Sequence, residues 1–172
     1  LAGAAGVTLP EETGETFEAN ALLKARAAAQ QSGYSAIADD SGLVVDALDG
    51  RPGVRSARFA ADHDEGSTDE DNNRLLLKKL EHIPEPQRTA RFVAAVAVVI
   101  PNGEERVFVG SVEGVIGHQQ QGSGGFGYDP LFFPEGRDVT MAELPPDEKH
   151  AISHRGRAFR KAAATISQMV RS

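Results

Sequence analysis

Ala38-Asp39-Asp40-Ser41-Gly42-Leu43 joins two apolar runs, Tyr34-Ser35-Ala36-Ile37-Ala38 before it and Leu43-Val44-Val45 after it. Asp, Ser and Gly are common turn formers, so the stretch reads as strand, tight acidic turn, strand. In α/β proteins the ends of strands are where ligands are usually held. Two carboxylates at such a point form a hard oxygen site suited to Mg²⁺. They also supply a base able to activate water. A plain solvated turn is the competing reading of the same residues.

Outward from this point, Thr16 to Gln31 is rich in Ala, Leu, Lys, Arg and Gln and reads as a helix. Thr16 is its expected N-cap and Gly33 its stop. On the other side, Gly50-Arg51-Pro52-Gly53-Val54 is a bend. Asp62 to Thr68 reads as exposed and polar. Ser67 and Glu70 have capping-box spacing and should open a helix that runs to about Leu80, with Leu76 and Leu80 inward. Arg91 to Ile100 is a central strand, Pro101-Asn102-Gly103 a hairpin turn and Glu105 to Ile116 the returning strand. Leu131-Phe132-Phe133 is a short strand. The last helix runs from about His154 to Val170, with Ser153 as N-cap and Ala158, Ala162, Ile166 and Met169 on one face. Helices alternate with strands around one clear hairpin. The expected fold is therefore α/β, with a mixed sheet flanked by helices.

Composition narrows the class. The chain has 172 residues, 40% apolar and 25% charged, as expected for one globular domain with a real core. The net charge of −7 argues against a general nucleic-acid surface, which needs a basic face. There is no cysteine, hence no disulfide framework and no thiolate metal site. No apolar run approaches the roughly 20 residues of a membrane span. No signal peptide is read in it, and a cytoplasmic protein is expected.

Four further clusters carry candidate chemistry. In Gly124-Gly125-Phe126-Gly127-Tyr128-Asp129-Pro130 the glycines permit close backbone approach to a ligand. Phe126 and Tyr128 can stack on a flat base, and Asp129 can accept from a ring N–H. A glycine loop whose aromatics plug a core edge is the alternative. Lys149 lies five residues before His154, and Ser153-His154-Arg155 opens the last helix, where free backbone N–H groups attract anions; simple solvated charge is the alternative for Arg155. On the first helix, Glu18 can complete a metal site with Asp40, and Lys24 can pair with a carboxylate; for each taken singly, a solvated helix surface is the competing reading. His63-Asp64-Glu65, with Asp62, fits no common metal spacing and reads as an exposed acidic loop.

Taken in order, Thr16-Phe17-Glu18-Ala19-Asn20-Ala21-Leu22-Leu23-Lys24-Ala25, Ala38 to Leu43, Gly50 to Val54 with Ser56-Ala57-Arg58, Gly125 to Pro130, and Glu148-Lys149 with Ser153-His154-Arg155 resemble the Ham1/RdgB family of inosine/xanthosine triphosphate pyrophosphatases. The resemblance spans Thr16 to Arg157. Each motif alone is weak, and the ordered set is specific. It implies a two-lobed, elongated sheet with a central cleft, and Mg²⁺-dependent hydrolysis of ITP, dITP or XTP to monophosphate and pyrophosphate by a homodimer. It implies that Asp40 is the base and binds metal with Asp39 beside it; Glu18 joins them as a candidate ligand only from the helix-face reading above. Ser41, Lys149, His154 and Arg155 would hold the nucleotide, and Phe126, Gly127, Tyr128 and Asp129 would line the base pocket. His154 or Arg155 would donate to the base carbonyl.

Two departures stand out. The family opens with a strand and a Ser/Thr-x-Asn-x-x-Lys phosphate loop, so residues 1–172 are expected to form one domain lacking about 20 residues of that start. Many members also carry an acid directly before the Asn of the first motif. Here that position is Ala19, and the acid is Glu18, about 100° away on a helix. A catalytically weak nucleotide-binding protein is the rival reading. A haloacid-dehalogenase-type phosphatase is disfavoured, since Asp39-Asp40-Ser41-Gly42 lacks Asp-x-Asp-x-Thr.

Overall fold

The first helix, α1, spans Phe17–Ser32. Thr16 caps it, its hydroxyl accepting from the Ala19 amide at 3.1 Å. Gly33 ends it in the left-handed conformation, its N–H bonded to Ala29. Its buried stripe Ala21, Ala25, Ala29 is small, so the helix axis lies close to the sheet. The computed structural model describes residues 6–169, with side chains described through Ile166. The side chain of Met169 and the opening segment 1–5 lie outside the described residues.

Four strands form one sheet in the order β1-β2-β3-β4: β1 Ala36–Val45, β2 Thr89–Val99, β3 Glu105–Ile116 and β4 Phe132–Pro134. The α/β class holds. Where a mixed sheet was expected, every pairing among the described residues is antiparallel. Helix α2, Asp69–Lys79, packs on the Gly53–Arg58 turn instead of crossing the sheet, so β2 returns alongside β1 in the opposite sense. The β2–β3 hairpin turns as expected at Pro101-Asn102-Gly103, with Asn102 at φ 58°.

The acidic stretch is not a turn. β1 runs unbroken through it, pairing Asp39 with Val96, Asp40 with Ala95 and Ser41 with Ala94. Ladder pairing along the whole of β2 overrides the local turn preference of Asp, Ser and Gly. Gly42 also serves a packing purpose. A Cβ there would fall 2.4 Å from Ser56 Oγ and 2.5 Å from the Gly53 carbonyl, so only Gly lets the 53–56 turn lie on the strand.

Two other boundaries shift. The capping box of α2 is Thr68 with Asp71, one residue later than Ser67 with Glu70. That register keeps Leu75, Leu76 and Leu80 buried, and truncating Leu76 to Ala would cost about 2–5 kcal/mol. A short helix α3, Pro146–Ile152, precedes α4, His154–Met169. Ser153 caps α4 as expected, accepting from the Gly156 amide at 3.0 Å.

The sheet has three packing partners. Ala95, Ala97 and Val99 of β2 face α1. Ala94, Val96 and Val98 face Ala158 and Ala162 of α4. At the other end, Leu43, Val45, Phe92, Ile116 and Phe132 pack with Leu75, Leu76 and Leu80 in the main core. β1 belongs to both ends: Ala36 and Ala38 pack under α1, Leu43 and Val45 enter the main core. Asp39, Asp40 and Ser41 lie where the strand changes partners. Among the described residues no helix is long and apolar enough to cross a membrane.

Candidate active site

Successive residues of a strand point to opposite faces. Asp40 therefore faces α1, and Asp39 faces away from it. Asn20 and Lys24 are four residues apart on α1 and share one side of it. Asn20 Nδ2 donates to Asp40 Oδ2 at 3.1 Å, and Lys24 Nζ to Asp40 Oδ1 at 3.1 Å. Asn20 Oδ1 also accepts from the Gly14 amide at 2.7 Å, which fixes the preceding loop. That loop brings Glu12, whose Oε1 accepts from Lys24 at 2.7 Å, with Arg58 at 3.7 Å from its other oxygen.

Asp40 is only 8% exposed. Burial pushes its carboxyl above the ordinary range, while the Lys24 cation and the Asn20 amide pull it down. Burial works to lower Lys24, but Glu12 and Asp40 outweigh it and hold the ammonium protonated. The result is a poised, buried carboxylate fixed through both oxygens.

Glu18 does not join this cluster. It is exposed, and two residues from Asn20 on a helix places it about 200° around the axis. Glu12 stands beside Lys24 instead. Glu12 lies in the loop before α1, where its residue type alone gives no sign of a site. Its signal lay in the i, i+4 pair Asn20 and Lys24, which marks the face that must be satisfied.

On the other face Asp39 meets α4. Arg155 Nε donates to Asp39 Oδ2 at 2.8 Å. Ser41 shares that face of β1 and is half-buried. Arg155 and Lys149 also lie over the ring of Phe126, at 5.5 and 4.9 Å from its centre. Phe126 is 58% exposed, a flat aromatic surface beside two cations. Lys149 donates to Asp129 Oδ2 at 2.5 Å, and the Phe126 amide donates to the same oxygen at 2.8 Å. Gly125 makes this possible: at φ +78°, a Cβ would sit 2.2 Å from Asp129 Oδ2.

Tyr128 is not beside Phe126 as a second stacking ring. It is buried in the main core, its hydroxyl donating to the Ser56 carbonyl at 2.8 Å. Burial raises its phenol far above the usual value. The ring anchors the loop from beneath. His154 is also buried, stacked on Phe92 with ring centres 4.9 Å apart. Burial, then Arg155 and Lys149, push its pKa down to about 3, so it is a neutral imidazole at physiological pH. Its Nδ1 is buried without a hydrogen-bond partner.

A concavity of about 590 Å³ elsewhere, lined among others by Asp46, Arg91, Glu113, Phe133 and Arg137, shares no residue with this site. Its arginines are already paired, Arg91 with Asp46 and Glu113, and Arg137 with Glu148.

One face of β1 carries a buried carboxylate with a cation at hand, and the other an exposed aromatic ring flanked by further cations; such groups suit an anionic ligand with a flat base. A sequence profile of the Ham1 family matches residues 2–165. The chain belongs to the Ham1 family. Among its relatives, a dITP/XTP pyrophosphatase of Nocardia farcinica is 55% identical over 149 residues, 87% of this chain and 71% of the relative. A dITP/XTP pyrophosphatase of Frankia alni is 51% identical over 96% of this chain and 86% of its own. Solved Ham1 structures agree in fold. A HAM1 protein from Coxiella burnetii superposes with a TM-score of 0.87 at 40% identity, covering 94% of this chain and 82% of the other. A nucleoside-triphosphatase / dITP/XTP pyrophosphatase from Mycobacterium abscessus gives 0.76 at 48% identity, over 90% and 80%. In this Ham1 chain these sequence motifs thus converge on β1, with α1 on one side and the loop 124–130 and α4 on the other.

Proposed function

We propose that this chain hydrolyses non-standard purine nucleoside triphosphates (dITP, ITP and XTP) to the monophosphate and pyrophosphate, which removes them from the nucleotide pool. Family membership supports the reaction class. The single observation that carries the mechanism is Asp40, a buried carboxylate held by Asn20 and Lys24 at 3.1 Å each. Asp40 accepts a proton from water. The water oxygen bonds to the α-phosphorus, the bond from that phosphorus to the bridging oxygen breaks, and pyrophosphate leaves with the electron pair. Lys24 opposes the upward push that burial gives the Asp40 carboxyl and offers positive charge to the phosphates.

The residues present suit Mg²⁺, which is commonly bound by one or two carboxylates plus substrate phosphates and water. Asp40 and Glu12 are the pair in reach, since both contact the same Lys24 ammonium. No group of three or more metal-binding side chains occurs among the described residues. When bound, Mg²⁺ supplies charge neutralisation for the leaving pyrophosphate. Asp39 serves the other face, with Arg155.

Phe126 stacks the purine, and Lys149, Asp129, Ser41 and the backbone at Gly127 frame the nucleotide. Arg155 or neutral His154 donates to the C6 carbonyl of hypoxanthine or xanthine. Adenine presents an amine there, leaving a donor unpaired, which is a large penalty in a buried site. The reading includes a single-domain, cytoplasmic homodimer with no nucleic-acid partner. Product analysis tests it. With Mg²⁺, dITP and XTP should release pyrophosphate and dATP little. Equal turnover of dATP, or release of single phosphates, would count against it.

A further inference from the structure

The N-terminal turns of α2 hold the base loop by its backbone, and the activity proposed above makes no use of them. Asp69 and Asn73 are four residues apart and share a face of α2. Asp69 Oδ2 accepts from the Gly127 amide at 2.7 Å. Asn73 Nδ2 donates to the Gly127 carbonyl at 3.0 Å. Both peptide groups flanking Gly127 are thus pinned by one helix. Gly127 sits at φ +59°, a conformation that glycine adopts readily, and its two backbone bonds to α2 hold it there. The peptide between Phe126 and Gly127 sets where the exposed Phe126 ring projects.

Asn73 is an expensive residue for mere packing. It is 2% exposed, its Oδ1 is buried without a partner, and its second Nδ2 contact, to Gln120, is 3.4 Å long. An apolar side chain would avoid that unpartnered acceptor. Its one strong side-chain bond is the one to the Gly127 carbonyl. By contrast the adjacent Asn72 is structural: its Oδ1 accepts from the Ala60 amide at 2.7 Å and ties α2 to the preceding turn.

We infer that Asp69 and Asn73 are positioning residues for base recognition: by clamping both peptides of Gly127 they aim Phe126 at the purine. This rests on the functional reading above, so the test needs a readout that uses no nucleotide. The chain has no tryptophan. Phe126→Trp therefore gives a fluorescent reporter at the ring itself. In that background, Asp69→Ala and Asn73→Leu should lower the tryptophan anisotropy, while Asp69→Asn, which keeps an acceptor oxygen, should leave it unchanged. In the otherwise native chain, Asp69→Ala and Asn73→Leu should raise KM for dITP about five- to tenfold, the worth of one hydrogen bond, with kcat within about twofold. Asp69→Asn should restore KM. A merely structural role would instead lower melting temperature and active fraction, leaving KM alone. Unchanged anisotropy and KM would overturn the inference, as would reduced anisotropy with unchanged KM. If the unmutated chain turned over no purine triphosphate, the functional reading would fail. A drop in anisotropy would then make the clamp only a loop anchor, and the inference would fall with that reading.

Discussion

Asp39 and Asp40 are neighbours in the chain and serve opposite faces of one strand: Asp40 meets Lys24 of α1 at 3.1 Å, Asp39 meets Arg155 of α4 at 2.8 Å. The two carboxylates therefore differ in what depends on them. The Lys24–Asp40 pair is nearly dry, with side-chain exposures of 11% and 9%, and Arg155–Asp39 is open to solvent at 44% and 25%. Removing one partner of a buried pair strands the other. Lys24→Met is expected to destabilise the fold by at least about 3 kcal/mol. Asp39→Asn is expected to cost no more than about 1 kcal/mol, as for other exposed pairs. Urea denaturation of both variants checks the contrast.

The same pair sets the acid limb of the pH–rate profile. A general base must be ionised to work. Burial raises Asp40 above its ordinary value and Lys24 opposes that rise. Without Lys24 the opposing influence is lost, so the pKa climbs further. In Lys24→Met the fall of kcat/KM on acidification should begin at higher pH than in the parent. A limb that stays in place would separate Lys24 from the ionisation of Asp40.

His154 titrates in the stability, not in the rate. Its folded pKa lies at about 3, below the ordinary value of 6.5. The unfolded chain therefore binds a proton that the folded chain refuses. Its contribution is fully present above pH 6.5 and is lost as pH falls. By about pH 5 the loss from this group should reach about 2 kcal/mol relative to pH 7. His154→Gln should show a shallower decline in stability over that window. Parallel declines would contradict the buried neutral imidazole.

Phe126 and Tyr128 are two residues apart in one loop and should behave differently. Tyr128→Phe removes the hydroxyl bonded to the Ser56 carbonyl, so it should cost about 1 kcal/mol in stability and leave KM nearly unchanged. Phe126→Ala removes an exposed ring, so it should leave melting unchanged and raise KM for dITP. Steady-state kinetics alongside thermal melts separate the two roles.

Much of this was legible in the sequence where local chemistry decides. The caps Thr16, Gly33 and Ser153, the Pro101-Asn102-Gly103 hairpin and the β2–β3 pair are local, and they formed as read. The strand through Asp39 and Asp40 reads as a turn because these two residues pair with β2 residues more than fifty positions away. Turn propensity sees only neighbours. Tyr128 was taken as a stacking ring because sequence cannot tell which aromatic of a loop points inward. Its carbonyl partner, Ser56, is seventy-two positions distant. Glu18 reads as a metal candidate because it lies on the helix, and nothing local singles out Glu12 in the preceding loop. The helix turns Glu18 outward, and the Gly14–Asn20 bond brings Glu12 in.

Asp40 acting as the base is the central claim about this site. Asp40→Asn keeps the size of the side chain and an oxygen for the Asn20 amide, but it cannot take a proton from water. The decisive measurement is turnover of dITP beside the dissociation constant of dITP, in parent and variant, with Mg²⁺ in both. The expected result is a loss in kcat of at least about a hundredfold, within the range of general-base catalysis, with affinity retained within a few-fold. Turnover within a few-fold of the parent would remove Asp40 from the chemistry.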